Sequence, residues 1–453
     1  MKRIAALILL AGCSGNEGKE RWKYERVVWE ERPEIRSPEQ AEARKQSLES
    51  RKTVTLHDAY ELALHRSESL AIQGEEIVRL RTQFDQALGT VLPAIHFKGS
   101  YLRQDDAGSD GSFSSFTLAE RREYKFTLHQ PIFSGLREIY GLRQTDALAE
   151  AKEHDLRRAR LLLFSDVAQA FYAVVLARRD LATTEHSLRL ARERLEELNQ
   201  RHRANMARRS EVLAQEAESA SQEARVQTLR GALEVAWEAF QFLTGLPSRP
   251  ELLDTLPEAK ALPSIPALVE KAAGKREDLR GLDRQIEAAE HGVRVAQGEY
   301  LPTLELDANY YLFREGVSEE IDWDLTLSVD LPIFNGLTTF AKIREAESSL
   351  RAARLQREQL RRQITLDLQR AWTDVRSLEG SRHSLEKAVA SAEENRELVE
   401  AEYRQGIATN IEALQSQETS LKSRLARDRT DVELRLAIVR LWVSVGETPG
   451  AKP

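Results

Sequence analysis

The residue with the clearest chemical assignment is Cys13, the only cysteine in the chain. It follows a basic start, Met1-Lys2-Arg3, an apolar core from Ile4 to Ala11, and the small residue Gly12. That order reads as a lipobox, in which a peptidase cuts before the cysteine and the thiol carries diacylglycerol. The stretch before the cut is shorter than the ~15–30 residues of an ordinary signal segment. A buried apolar strand with an incidental cysteine is the blander alternative. Ser14, in place of an Asp after the cysteine, favours sorting to an outer membrane. With one cysteine no internal disulfide is possible.

No catalytic constellation accompanies it. The nine histidines are scattered, with no His-Glu-x-x-His pattern and no paired cysteines. No glycine-rich loop is placed to cradle phosphate, and the two methionines, Met1 and Met206, do not make a relay for soft metals. The expectation is a protein that is not an enzyme and uses no cofactor and no metal. The formal net charge of −7 comes with Lys and Arg interleaved among Glu and Asp along the chain. Such patterning describes solvated helix faces and argues against nucleic acid as a partner. No apolar run approaches the roughly 18 residues of a spanning helix. Membrane contact would therefore be by strands or by the lipid.

What positions the remaining residues is an internal duplication. Gln130-Pro131-Ile132-Phe133-Ser134-Gly135-Leu136 returns as Leu331-Pro332-Ile333-Phe334-Asn335-Gly336-Leu337, an offset of 201 that also maps Leu213 onto Leu414 and Gly245 onto Gly446. Before the hairpin the offset is 209, as from Leu92-Pro93 to Leu301-Pro302. Each copy reads as helix, β-hairpin, long helix, helix. The spans are 1–12 signal, 13–52 leader, 53–245 first repeat with its hairpin at about 94–131, and 246–265 linker. The second repeat is 266–446, with its hairpin at about 303–332, and 447–453 is a tail. Thr53 to about Gly89 reads as one helix, ended by Leu92-Pro93. The long helices of about 66 and 68 residues would extend ~100 Å each. In each copy the two shorter helices sum to nearly that length, so stacked end to end they fit alongside. Heptad columns such as Val167, Val174, Leu181, Leu188 and Leu195 predict coiled-coil packing.

Four segments switch to a period of two. Ile95, Phe97, Gly99 and Tyr101 share a face, as do Tyr124, Phe126 and Leu128, then Leu304, Leu306, Ala308 and Tyr310, then Trp323, Leu325, Leu327, Val329 and Leu331. At roughly nine to eleven residues, with aromatics near the ends of the apolar face, each fits a tilted membrane strand. Four strands cannot close a barrel, and open edges are not tolerated in lipid. Several copies must therefore combine. Two give eight strands, which side chains fill, and three give twelve, which leaves a channel. The opposite faces carry His96, Lys98, Lys125 and His129 in copy one and Glu305, Asp307, Asp324 and Asp330 in copy two. These either form cross-hairpin ion pairs that set register or stand as hydrated lumen charges.

These pieces, in this order, resemble the TolC-like outer membrane factors over nearly the whole chain. The matching residues are Thr55-Leu56-His57-Asp58-Ala59 with Ala63-Leu64, Leu92-Pro93, the two Pro-Ile-Phe-x-Gly-Leu junctions, Arg276-Glu277-Asp278-Leu279, and Tyr403-Arg404-Gln405-Gly406 followed by Ile411 and Leu414. The lipobox is similar to that of the family's lipoprotein branch. The resemblance implies a mainly α homotrimer with a small β part, in which a twelve-stranded outer-membrane β-barrel sits on a coiled-coil α-barrel of twelve helix columns. It further implies a passive duct for efflux or export, docked by its helical tips on a periplasmic adaptor and fed by an inner-membrane pump, expected to be proton-driven. Localisation would be the outer membrane of a Gram-negative bacterium, with outer-membrane lipid around the barrel.

The corresponding residues are tips at Arg203, Asn205, Arg208, Arg209, Tyr403, Arg404 and Gly406, and barrel–helix junctions at Pro93, Pro131, Gly135, Pro302, Pro332 and Gly336. An aperture would be lined by Glu412 and, through the repeat, Glu211. Gln415 and Ala408 stand where family members can carry an Asp and an Arg. The two glutamates also suit a plainer role, as helix N-terminal acids complementing the dipole. Gly406 and Asn205 suit a tight turn needing left-handed backbone. The rival readings are a periplasmic adaptor lipoprotein and a coiled-coil scaffold lipoprotein. The alternating aromatic strands disfavour the scaffold, and the duplication with its low strand content disfavours the adaptor.

Overall fold

The computed structural model describes Ser47 and residues 51–105, 120–256, 262–316 and 319–449. Cys13 and most of the leader lie outside them. The elements run in the order β1 (Thr53–Thr55), α1 (Leu56–Arg66), α2 (Glu68–Gly89), β2 (Ala94–Arg103), β3 (Glu120–Ser134), α3 (Arg137–Arg203) and α4 (Arg209–Thr244). The second half continues with β4 (Glu251–Leu253), α5 (Ile265–Lys275), α6 (Glu277–Gly298), β5 (Thr303–Arg314), β6 (Trp323–Asp330), α7 (Thr338–Arg404) and α8 (Asn410–Val445). Two compact units result. Of the described residues, one holds 73–155 and 278–360, and the other holds Ser47 and 51–72 together with 156–277 and 361–449.

In the first unit the four strands form one antiparallel sheet in the order β2-β3-β5-β6. The two hairpins have the same register under the two offsets, since Ile95 opposite Leu128 becomes Leu304 opposite Val329. β3 is longer than expected because it carries on through Pro131. Proline has no N–H for the ladder, and the register shifts between Pro131 and Phe133.

In the second unit, Val167, Val174 and Leu188 of the heptad column are buried, while Leu181 and Leu195 are half-buried. Phe171, Tyr172, Trp237 and Phe240 pack edge to face, with ring centroids 5.3–6.1 Å apart, and each buried ring is worth ~1.5–3 kcal/mol. α1 opens on a capping box in which Thr55 and Asp58 exchange hydrogen bonds. The helix expected from Thr53 to Gly89 is in fact two. Ser67 leaves helical geometry at ψ 101° while its N–H still bonds the Ala63 carbonyl, and Arg276 does the same at ψ 118° in the second copy. The linker also holds more than connection, because β4 pairs in parallel with β1. α4 and α8 both end on left-handed glycine C-caps, Gly245 at φ 72° and Gly446 at φ 100°.

The expectation that no apolar run is long enough to span a membrane is corrected. α3 contains an 18-residue window of mean hydropathy 1.5, about 44% buried. Phe164, Val167, Ala168, Phe171 and Tyr172 are its buried face. The length comes from a core-facing stripe on a long helix, broken by Asp166 and Gln169.

Candidate functional site

The alternation of the strands gives the sheet one apolar and one polar face. On the apolar face Phe97 lies 5.4 Å from Phe126, and Tyr124 lies 6.2 Å from Phe313, ring centroid to centroid. Most of the large side chains there are exposed, Phe97 at 59% and Trp323 at 65% with Leu325, Leu327 and Val329 comparable, while Leu128, Leu304 and Leu306 are half-buried. Monomeric soluble proteins rarely expose an apolar patch of this extent. The outer edges of β2 and β6 have no strand partner among the described residues.

The polar face is partly paired across the hairpins. His129 Nδ1 lies 2.9 Å from an Asp307 oxygen, and the Thr127 hydroxyl donates to Asn309 at 2.9 Å. Asn309 and Tyr311 both donate to Asp324, at 2.8 and 2.7 Å. Lys125 turns instead to Glu123 on its own strand, 2.8 Å away. Lys98 sits opposite Lys125 on the outer strand.

At the junctions, Gly135 and Leu136 are consecutive left-handed residues at φ 69° and 62°, and Gly336 and Leu337 repeat them at 67° and 68°. A leucine at positive φ is a genuine outlier, so its recurrence marks a required turn from strand to helix. Gly135 also has no room for a side chain, because a Cβ would stand 2.2 Å from the Gly298 carbonyl oxygen. Pro93 and Pro302 immediately precede β2 and β5, and Pro332 follows β6.

The tips are the turns α3–α4 and α7–α8 in the second unit. Asn205 adopts φ 57° and Gly406 φ 77°, the left-handed geometry expected of both. Arg203, Asn205, Arg208, Arg209, Arg404 and Gly406 are exposed. Tyr403 is not, because it packs with Leu198 and Val212 beneath both turns. Arg194 and Arg201 stack on its ring, 4.2 and 5.3 Å from the centroid. Arg194, itself buried, also holds Glu400 at 2.6 Å. Burial, with a contribution from the Glu211 carboxylate, pushes the Tyr403 phenol above its ordinary value.

Glu412 completes a capping box. Its carboxylate accepts from the Thr409 N–H at 2.6 Å and from the Thr409 hydroxyl at 2.8 Å, while its own N–H donates to that hydroxyl. Those hydrogen bonds, the backbone one first, hold its carboxyl below the usual range. Glu211 lies in the first turn of α4, where Arg208 makes no side-chain cap. Sequence reasoning missed the apolar apex of each turn, Met206 and Ile407, which are 75% and 71% exposed. The repeat offset places one apolar residue directly after each left-handed position, a signal that was there to be used.

Comparison with known proteins agrees with this arrangement. A family model described as outer membrane efflux protein matches residues 59–246 and 268–446. The outer membrane efflux protein BepC of Brucella suis is 22% identical over 331 residues, covering 70% of this chain and 71% of that protein. The pyoverdine export outer membrane protein OpmQ of Pseudomonas aeruginosa is 27% identical over 324 residues, covering 66% of this chain and 62% of that protein, less than two thirds of its length. The solved outer membrane protein VceC of Vibrio cholerae superposes with a TM-score of 0.75 at 19% identity, covering 87% of this chain and 96% of that one. With both halves of the duplicated frame matched by that family model, the chain belongs to the outer membrane efflux protein family.

Proposed function

We propose that the protein is the outer-membrane channel of a tripartite efflux or export system. Three copies join their sheets into a twelve-stranded barrel whose apolar face meets lipid, above an α-barrel of twelve helix columns. The chain is a passive duct with no catalytic role, and a proton-driven inner-membrane pump supplies the energy. A periplasmic adaptor docks on the tips, where Arg203, Arg208, Arg209 and Arg404 surround the apices Met206 and Ile407. Tyr403 braces those turns from within. Glu211 and Glu412 line the periplasmic aperture, with Glu412 held in place by its cap. Residues 53–245 and 266–446 are the functional repeats, 246–265 the linker, and Cys13 at the head of the leader carries the lipid.

The observation that carries this reading is the open four-stranded sheet with an exposed aromatic and aliphatic face. In water such a face and two unpaired edges are a liability. In lipid the face is favourable and the edges are satisfied by closure. The test is to extract the mature protein in detergent, measure its mass by light scattering, and record it in planar bilayers. The expected result is a trimer that conducts, with cation preference reduced in a Glu211→Gln, Glu412→Gln variant. A water-soluble monomer without conductance refutes the proposal.

A further inference from the structure

The two halves of this chain meet along an interface that can be read twice. Within the chain, β3 pairs with β5, and α6 packs beside α3. Three contacts mark it. His129 faces Asp307 at 2.9 Å, Glu150 holds Arg284 at 2.9 Å, and the backbones of Gly135 and Gly298 touch. The repeat maps each residue onto its twin in the other copy, by 201 after the hairpin tip and 209 before it. The observed pairing supports both offsets, since Ala94 opposite His129 becomes Thr303 opposite Asp330.

Applied to the three contacts, the offsets give Asp330 with Lys98, Arg351 with Glu75, and Gly336 with Gly89. Each keeps the chemistry of its twin. The acidic and the basic side chain exchange places in both polar contacts, and the glycine pair returns as glycines. Sign exchange has a precedent inside the chain. Arg81 with Glu153 at 3.1 Å, between α2 and α3, is the twin of Glu290 with Arg354 at 2.8 Å, between α6 and α7. Lys98 and Asp330 are not opposed within one protomer, because β2 and β6 are opposite edges of the sheet. All six residues are exposed, whereas Gly135 and Gly298 are buried. A Cβ on Gly336 or Gly89 would meet nothing within 4 Å among the described residues. Ile333 and Phe334, beside Gly336, are 86% and 80% exposed, more than their twins Ile132 and Phe133. The correspondence is selective, because Arg157 with Glu277 maps onto Glu358 and Glu68, and Glu123 with Arg314 maps onto Asp324 and Asp105, like charges in both cases.

We propose that neighbouring protomers repeat the internal interface in register, so that Lys98 of one copy pairs with Asp330 of the next, Glu75 with Arg351, and Gly89 with Gly336. The proposal rests on the trimeric channel above and adds the residues and register by which its copies recognise each other. It accounts for Lys98 having no acidic partner among the described residues of its own sheet: the partner is on another chain. Directly opposed residues on neighbouring strands have Cβ atoms ~4.5–5.5 Å apart, close enough for a disulfide, whereas a partner four residues further along is ~13 Å away.

The test uses full-length protein in membranes. Lys98→Cys with Asp330→Cys should give disulfide-linked dimers and trimers under mild oxidation, roughly tenfold more than Lys98→Cys with Thr326→Cys. Lys98→Asp and Asp330→Lys should each lower the temperature at which the oligomer dissociates, and the double variant should restore it. Trimers by light scattering that cross-link equally or preferentially through position 326, or a double variant without rescue, overturn the register and leave the channel intact. Absence of any oligomer in the unmodified protein overturns the channel itself.

Discussion

Arg194 is the most informative single perturbation of the tips. It is buried, holds Glu400 at 2.6 Å and lies 4.2 Å from the centre of the Tyr403 ring. Removing one member of a fully buried ion pair costs ~3–5 kcal/mol. Here the loss is smaller, because Glu400 is 27% exposed and keeps Arg404 at 3.6 Å. The stacking on Tyr403 adds ~1–2 kcal/mol at a desolvated site. Arg194→Met, which keeps the packing volume of the stem, should therefore destabilise the tips by about 2 kcal/mol, a ~30-fold change in local opening. Hydrogen exchange at the amides of residues 204–208 and 405–409 reads this directly, with the middle of α3 and α7 as internal reference. Arg201→Met should have a much smaller effect, because Arg201 lies further from the ring and pairs on the surface with Glu197. Unchanged tip protection, or a loss spread evenly along the helices, refutes the view that Arg194 and Tyr403 lock the two turns together.

Two further outcomes follow from other parts of the molecule. Leu327→Arg, on the apolar face, should cost ~2–4 kcal/mol if that face lies in the bilayer, and should reduce the heat-stable oligomer on gels, whereas Thr326→Arg on the other face should be tolerated. An equal response to both would place that face in water. Tyr403 has a folded pKa raised above its ordinary 10.0 by burial first. Its contribution is therefore fully present below pH 10 and lost as pH rises through the higher folded value. The difference in tyrosinate absorbance between wild type and Tyr403→Phe should show a midpoint above 10, and a midpoint at or below 10 contradicts the burial argument.

The sequence alone determined what depends on local pattern. The period-two segments became the four strands of the sheet, and the heptad column of the first long helix became buried at Val167, Val174 and Leu188 and half-buried at Leu181 and Leu195, because side-chain direction is set by backbone geometry within a few residues. Positions needing left-handed backbone were legible too, as Asn205 and Gly406 at the tips and Gly245 and Gly446 at the helix ends. The duplicated frame was visible because both copies keep the same punctuation of proline and glycine.

Only the tertiary structure decided what depends on which distant residues meet. Of the basic and acidic residues on the polar face, it paired His129 with Asp307 but turned Lys125 to Glu123, a choice fixed by strand register and by the bulge beside Tyr124. It buried Tyr403, although its neighbours in the tip are exposed, because Leu198 and Val212 converge on that point from two other helices. It broke the first helix of each copy at Ser67, with no proline or glycine beside it, and at Arg276, two residues after Gly274. It also paired β1 with β4 across nearly two hundred residues of sequence. None of these is a local property. Each is a contest between partners far apart in the chain, and the winner is set by where packing brings them.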